Sequence, residues 1–330
     1  MKVFLAEAPD GGPRNFISRL KDSIASAHLA DIESNPDTSD VRLECIHNMS
    51  PECDVPYALR LDGIYHDSQN TIGNTFLLNM PIYDAYKKAK GVIFQSEFDQ
   101  WMAHLHFGEH ENSIVINNGA NIKGLNQNQL LKRKKALSDR VILASSKWRR
   151  HKRLKECVQA FSLLPKEYDD VELKIAGHID ESEQADLIRM VGNENKSNKI
   201  EFLGNISQEK IYNENMNATC FLHLSWFDHC PNSVIEAMSC GTPVVCSNQG
   251  GTKELIEKTK CGLVAEIDPD YDGSFISLYD PPEVDLKPVK HALMDILNKS
   301  FYNYTTIDLA PIGIGRVARR YVEFLESCAK

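Results

Sequence analysis

The 330-residue sequence lacks several patterns that identify common classes of protein. It has no apolar run of about 18 residues, so it predicts no membrane-spanning segment. It also has no excess of positive charge: the formal net charge is −9, which disfavours a nucleic-acid binder. The N-terminus turns polar directly after MKVFL, and we therefore expect no signal peptide.

Signatures of metals and redox cofactors are scarce as well. The nine cysteines form no Cys-x-x-Cys pair, and several, such as Cys220 and Cys246, lie in apolar runs. This usage favours reduced thiols in a cytoplasmic protein over a disulfide framework or a zinc site. No Gly-x-Gly-x-x-Gly follows an early strand, which argues against an NAD-dependent dehydrogenase. Asp268-Pro-Asp270 has the letters of an Asp-x-Asp metal motif but follows no clear strand, so it predicts no metal site.

Short apolar runs alternate with helical patterns along most of the chain. Alternation of this kind is typical of parallel sheets covered by helices on both faces, and it predicts an α/β fold. Residues 30–40 have a loop composition, residues 264–290 an irregular one, and the C-terminal tail has the pattern of an amphipathic helix. The predicted strands lie near 2–9, 41–48, 56–65, 91–96 and 113–121, and then near 140–146, 171–179, 200–206, 218–225 and 243–247.

A polar, basic stretch at 125–137 divides the alternating pattern in two. Such stretches are typical of connections between domains. The sequence therefore predicts a short N-terminal Rossmann-like domain over 1–124, a linker over 125–137 and a C-terminal Rossmann-like domain over 138–304. The terminal helix lies in the remaining segment, 305–330.

The stretch 225–256, SWFDHCPNSVIEAMSCGTPVVCSNQGGTKELI, predicts a ligand site. Asp228 follows one strand, a helix begins near Asn232 and Ser233, and Gly250-Gly251 follows the next strand. In open α/β sheets ligands bind at the carboxyl ends of strands, and helix N-termini suit phosphate. Carboxylates such as Asp228 and Glu236 can accept hydrogen bonds from sugar hydroxyls. These features indicate a ligand built of sugar, diphosphate and nucleoside, unless the two acids interact only with the helix dipole.

The loop at 145–153, SSKWRRHKR, is rich in positive charge. It follows the first predicted strand of the second domain, which places it at the same edge of the sheet. A cation cluster at a strand end of an acidic protein indicates an anionic ligand, although a solvated charged surface is the alternative. The cations are Lys147, Arg149, Arg150, Lys152 and Arg153.

These motifs resemble the retaining glycosyltransferases of family 4, the group 1 glycosyl transferases, whose GT-B fold has two Rossmann-like domains facing a cleft. The resemblance rests on Asp228-HCPNSVI-Glu236, followed by AMSCGTPVV, and on Gly250-Gly251-Thr-Lys-Glu254. It covers about residues 114–260 and is weaker before them. The sequence departs from the family in having Asp228 where the family has Glu and Lys147 where it has Arg.

The resemblance implies a metal-independent hexosyltransferase that moves a sugar from a UDP- or GDP-sugar to a hydroxyl of a glycan or glycoconjugate, with retention of configuration. It implies that the donor lies in the C-terminal domain and the acceptor on the N-terminal side, and that the tail helix packs back on the N-terminal domain. The implied catalytic residues are Asp228, Lys152, Lys147 and His66. The implied donor-binding residues are Glu236, Arg149, Asn232, Ser233, Gly11, Gly12, Gly250 and Gly251.

Two other functions on the same fold stay open. A nucleotide-sugar 2-epimerase would share the donor pocket and need no acceptor. A catalytically inactive nucleotide-sugar binder is the second alternative, because Asp228 departs from the family pattern and the N-terminal domain is short. Residues 1–124 are acidic, so we expect an acceptor that is not held on an anionic membrane.

Overall fold

The computed structural model describes residues 1–8, 11–67, 74–122, 127–192, 194–303 and 306–329. Within these residues the strands form two six-stranded sheets, and the paired strands in each sheet run parallel. This confirms an α/β fold with two doubly wound sheets. No described helix is long and apolar enough to cross a membrane.

The first sheet belongs to the N-terminal domain and has the order β2-β1-β3-β4-β5-β6. Its central strands are buried on both faces, as expected for a parallel sheet between helical layers. The strands are β1 Lys2–Leu5, β2 Asp31–Glu33, β3 Val41–Cys45, β4 Tyr57–Leu61, β5 Gly91–Phe94 and β6 Ser113–Val115. The helices are α1 Gly12–Ser26, α2 Thr75–Lys88 and α3 Glu97–Phe107.

The second sheet belongs to the C-terminal domain and has the order β12-β11-β10-β7-β8-β9. The strands are β7 Val141–Ser145, β8 Glu172–Ala176, β9 Ile200–Gly204, β10 Cys220–His223, β11 Val244–Ser247 and β12 Gly262–Ala265. The helices along this part of the chain are α4 Gln127–Ala136, α5 Leu154–Ser162, α6 Glu181–Val191, α7 Glu194–Ser197, α8 Gln208–Asn217, α9 Asn232–Ser239, α10 Thr252–Thr259 and α11 Lys287–Leu297.

The strand order of the second sheet shows where the C-terminal domain can hold a ligand. In the second sheet the order reverses between β7 and its neighbour β10, which is the arrangement of a Rossmann fold. Ligands of such sheets bind outside the carboxyl ends of the strands at this reversal. The loops that follow β7 and β10 are 146–153 and 224–231, and they carry the predicted lysines and Asp228.

The last helix, α12 Ile314–Cys328, packs on the N-terminal domain rather than on the domain that precedes it. Its buried face contacts α1, where the rings of Phe16 and Tyr321 lie 5.6 Å apart between centroids. The same face covers β3 and β4. The chain therefore crosses between the two domains twice. The exact domain boundaries stay predictions.

Several segments differ from the sequence-based interpretation. β2 forms within residues 30–40, where the composition predicts a loop. It is a short, largely polar strand at the edge of the sheet, where little apolar pattern is required. α4 lies inside the predicted linker, and its buried Leu130 and Lys134 pack beside Gly241 of the C-terminal domain. α11 begins at Lys287, inside the segment predicted to be irregular.

Candidate active site

A cavity of about 450 Å³ lies between the two domains, at the carboxyl ends of both sheets. Seven of the twelve predicted site residues line it. They are Lys147, Lys152, Asp228, Asn232, Ser233, Glu236 and Gly12. These predicted residues therefore share one cavity at the carboxyl edge of the second sheet, and the role of each residue stays a prediction.

Asp228 and Lys152, in the loops that follow β10 and β7, form an ion pair at the carboxyl ends of these strands. His223, at the end of β10, places its Nε2 atom 3.4 Å from Oδ2 of the same carboxylate. Burial alone would raise the pKa of Asp228, but Lys152 and His223 outweigh it and hold the pKa far below its ordinary range. Asp228 is thus a fixed negative charge, and it orients the ammonium group of Lys152.

The other cations of the 145–153 loop have separate roles. Arg153 is fully buried, and its Nη1 donates to Oδ2 of Asp268 at 3.0 Å. Arg150 pairs with Glu156 at 3.0 Å on the surface. Arg149 is exposed and does not line the cavity, so only Lys147 and Lys152 of the predicted cluster face it.

The N-terminus of α9 points its first residues into the cavity. Pro231 is the N-cap, and no side chain among the described residues caps this helix. Asn232 and Ser233 are the first two residues of the helix. Because no side chain caps them, the first backbone N–H groups of α9 can receive an anion from the cavity.

Glu236 is held by a residue from the other domain. Nη1 of Arg19, on α1, donates to Oε1 of Glu236 at 3.0 Å, and Nη2 donates to Oδ1 of Asn232 at 2.7 Å. Asn232 in turn donates to the carbonyl of Gly12 at 2.8 Å. Burial raises the pKa of Glu236, and Arg19 opposes that rise. Sequence reasoning missed Arg19, because only the fold brings α1 beside α9.

Gly250 and Gly251 lie behind the cavity and support its wall. Gly250 has φ +90°, and a Cβ there would lie 2.6 Å from the carbonyl oxygen of Asp228. A Cβ on Gly251 would lie 1.8 Å from the carbonyl oxygen of His229 and 2.6 Å from Cβ of Ser96. The Gly251 N–H donates to the Asp228 carbonyl at 2.8 Å. These glycines let the loop that carries Asp228 pack closely against its neighbours.

Two predicted residues of the N-terminal domain lie outside the cavity lining. Gly11 has φ +107° and is the exposed N-cap of α1. His66 is buried between the rings of Phe227 and Phe275, at centroid distances of 5.8 and 5.7 Å. Burial lowers the pKa of His66 to about 3, so the imidazole is neutral at pH 7. A catalytic role for His66 stays a prediction, and this placement gives it no direct access to the cavity.

Four polar residues of the N-terminal domain form the opposite wall. They lie at or just beyond the carboxyl ends of β4, β5 and β6, and none was selected from the sequence as a site residue. The strand-end position of Asp62, directly after an apolar run, is the signal that could have identified it. The residues are Arg60, Asp62, Gln95 and Asn118.

Comparison with known proteins agrees with this architecture. Residues 127–272 match the family model of glycosyl transferases group 1. The N-acetyl-alpha-D-glucosaminyl L-malate synthase of Bacillus anthracis is 28% identical over 130 residues, which is 39% of this chain and 33% of that protein. The match thus spans about a third of the curated relative.

Solved structures match over nearly the whole chain. Sucrose-phosphate synthase from Thermosynechococcus elongatus has a TM-score of 0.64 at 16% identity, covering 99% of this chain and 96% of that one. HepE from Anabaena, solved in complex with UDP, has a TM-score of 0.60 at 18% identity, covering 98% and 95%.

At these identities the structural matches establish the fold. The described residues contain no group of three His, Cys, Asp or Glu side chains arranged to hold a metal ion. Residues 127–272 thus match the family model of glycosyl transferases group 1, and the two-domain fold is that of the matched glycosyltransferase structures.

Proposed function

We propose that the protein transfers a sugar from a nucleoside-diphosphate sugar to a hydroxyl group of a glycan or glycoconjugate, with retention of configuration. One observation carries the proposal. Two lysines, an uncapped helix N-terminus and two carboxylates line a single cavity where the strand order of the second sheet reverses. These groups match the phosphate, ribose and sugar parts of such a donor.

The diphosphate would lie between the lysines and α9. Lys147 and Lys152 supply positive charge, and the N–H groups at the start of α9 supply hydrogen bonds. In the transition state the leaving diphosphate gains negative charge, so fixed cations lower the barrier. Asp228 keeps Lys152 in place. It would exchange part of this contact for hydroxyls of the transferred sugar when the donor binds.

The ribose would bind to Glu236, whose carboxylate can accept hydrogen bonds from vicinal hydroxyls. Arg19 now holds one oxygen of that carboxylate. Donor binding would therefore either share Glu236 with Arg19 or displace Arg19 from it. UDP is our first choice of nucleotide, because HepE, a protein of the same fold, was solved with UDP. GDP is the second choice.

The proposal includes a metal-independent reaction, because the two lysines can do the charge-neutralising work that a cation does elsewhere. It also includes a cytoplasmic location, which the absence of disulfide bonds supports. None of the nine cysteines forms a disulfide bond, and all except Cys53 are buried. Buried thiols of this kind are typical of a reducing compartment.

A product assay tests the proposal. The protein is incubated with UDP-glucose, UDP-N-acetylglucosamine, UDP-galactose or GDP-mannose, with and without methyl glycosides as acceptors, and products are identified by NMR. We expect a new glycosidic bond with the donor's anomeric configuration in at least one combination. Sugar interconversion without acceptor would instead identify an epimerase, and binding without any turnover would identify an inactive binder.

A pair of lysine variants tests the site itself. Lys152→Ala should lower the transfer rate by about a hundredfold, because it removes a positive charge that stabilises the leaving diphosphate. Lys155→Ala removes an exposed lysine in the adjacent helix and should leave the rate unchanged. Equal rates for the two variants would remove Lys152 from the phosphate site.

A further inference from the structure

Asp62 lies just beyond β4 on the N-terminal wall of the cavity, and only one of its carboxylate oxygens accepts hydrogen bonds from the described residues. Oδ1 accepts hydrogen bonds from Arg60 and, at 2.7 Å, from Nε2 of Gln95. Oδ2 accepts none from the described residues. The side chain is 12% exposed, and it lines the cavity.

The neighbours of Asp62 hold it rigidly. Nη2 of Arg60 donates to Oδ1 of Asn118 at 2.9 Å, and Nδ2 of Asn118 donates to Oε1 of Gln95 at 2.8 Å. Asn118 also donates to the carbonyl of Cys230 in the other domain at 3.1 Å. This closed ring of contacts fixes the direction of the free oxygen, which is the arrangement that a binding group requires.

The adjacent strand, β3, carries a comparable pair of an arginine and a carboxylate, but both oxygens of that carboxylate accept hydrogen bonds within the protein. On β3, Arg42 pairs with Glu44 at 2.6 Å, and Oε2 of Glu44 accepts the N–H of Met49 at 3.0 Å. Both oxygens of Glu44 are thus occupied within the protein, and its side chain is 0% exposed. Arg42 also donates to carbonyls of the loop that follows β3. A role in structural stability accounts for both oxygens of Glu44. The same role accounts for Oδ1 of Asp62 but not for its Oδ2.

The chemistry of the cavity defines what Oδ2 can bind. A carboxylate repels phosphate, and the phosphate-binding groups lie on the opposite wall with Lys147 and Lys152. A fixed acceptor atom that faces such a site suits a neutral hydrogen-bond donor. In a sugar-transferring cleft that donor is a hydroxyl group.

We propose that Asp62 binds a sugar hydroxyl in the cleft, held in position by Arg60, Gln95 and Asn118. The inference rests on the proposed function and adds a specificity residue to it. The hydroxyl belongs either to the transferred sugar or to the acceptor. The interaction with a charged acceptor atom should contribute about tenfold or more in affinity.

Asp62→Asn and Glu44→Gln form the test, with wild type as reference. Calorimetry measures binding of UDP and of UDP-glucose, UDP-N-acetylglucosamine and UDP-galactose; the assay above measures donor hydrolysis and the KM for the methyl glycoside acceptor. Asp62→Asn should bind UDP as wild type does, because Asp62 lies across the cleft from the phosphate groups. Glu44→Gln should match wild type in every ligand measurement, whatever its effect on stability.

Two outcomes support the proposal and identify the hydroxyl. A tenfold loss of affinity for the sugar nucleotide but not for UDP assigns it to the transferred sugar. A tenfold rise in acceptor KM with unchanged donor hydrolysis assigns it to the acceptor. If Asp62→Asn does not fold, Asp62→Glu keeps the charge beside Arg60 but displaces Oδ2, and the same losses are expected.

One outcome overturns the proposal alone: Asp62→Asn and Asp62→Glu, both folded, behave like Glu44→Gln in all these measurements. A different outcome overturns the proposed function. Wild-type protein that binds none of the nucleotides, GDP and GDP-mannose included, would contradict the donor site, and the inference about Asp62 would fail with it.

Discussion

The charged residues of the cavity are held in pairs, and the proposed donor would have to compete with them. Asp228 pairs with Lys152, and Glu236 pairs with Arg19 from the other domain. Paired charges in a partly buried site cost less free energy than isolated ones, so each pair offsets part of the cost of burying its two members. The same pairing means that each group binds ligand only by exchanging one partner for another.

Glu236→Ala should weaken UDP binding by about tenfold, because the ribose loses a charged hydrogen-bond acceptor. Arg19→Ala breaks the same ion pair but keeps the carboxylate, and it should lower affinity less than Glu236→Ala. Calorimetric titration with UDP or GDP measures both variants. If both variants lose affinity equally, the ion pair rather than the ribose contact explains the effect of Glu236.

Buried histidines should make stability depend on pH. The pKa of His66 is lowered to about 3, against about 6.5 in an unfolded chain. Above pH 6.5 neither state is protonated and the contribution to stability is complete. As the pH falls below 6.5, only the unfolded state binds the proton, so the free energy of unfolding falls by about 1.4 kcal/mol per pH unit.

His66→Gln should remove this part of the slope. Urea unfolding at pH 7.0 and pH 5.0 compares the variant with wild type. We expect a smaller stability difference between the two pH values in the variant, while sugar transfer at pH 7 continues. An unchanged difference would mean that His66 is protonated in the folded protein, and loss of transfer by a folded variant would support a direct role for His66.

Elements that follow each other closely in the chain were predictable, and contacts between domains were not. Asp228, the start of α9 and Glu236 follow β10 directly, so their sequence spacing sets their geometry. Arg19 meets Glu236 across 217 positions of sequence, and Asp62 meets the site only because two sheets face each other. No local pattern encodes such a meeting. The sequence predicted the turn at Gly250 and Gly251 and a donor-binding role for it. In the structure the closest neighbours of these glycines are protein atoms of the loop that carries Asp228.

Gly251→Ala tests the support that the glycine loop gives to the Asp228 loop. The added Cβ would overlap the His229 carbonyl oxygen and Ser96, so the free energy of unfolding should fall by about 1–3 kcal/mol. Nucleotide affinity should fall too, because the Asp228 loop must shift. Gly315→Ala, in α12, meets nothing within 4 Å and should stabilise by about 0.5 kcal/mol. Equal stability of the two variants, measured by urea unfolding, would contradict the packing described.

Across the whole molecule, the C-terminal domain caps a helix of the N-terminal domain. The carboxylate of Glu254 accepts the N–H groups of Glu97 and Phe98 at 2.8 and 2.7 Å, at the start of α3. Lys258 adds a bond to Asn117 at 3.0 Å. These contacts, together with the pair of Arg19 and Glu236, join the two domains beside the cavity. We therefore expect that a substrate entering the cavity separates some of them, which would couple binding to domain motion.

Glu254→Ala should shift the empty protein toward open forms. Small-angle scattering should show a larger radius of gyration for this variant, and UDP should reduce the difference. Glu257→Ala removes an exposed carboxylate from the same helix and should leave the radius unchanged. If Glu254→Ala is as compact as Glu257→Ala, the cap does not control closure.

The central claim, a nucleoside-diphosphate site at the strand reversal of the C-terminal domain, is tested most directly by thermal unfolding with UDP, GDP and ADP. A ligand that binds only the folded state raises the melting temperature, and saturation at about 100 times Kd adds ~2.7 kcal/mol of stability. We predict a clear rise with UDP or GDP in wild type and in Lys155→Ala, and a much smaller one in Lys152→Ala. No rise in wild type with any nucleotide, or equal rises in all three proteins, would contradict the account.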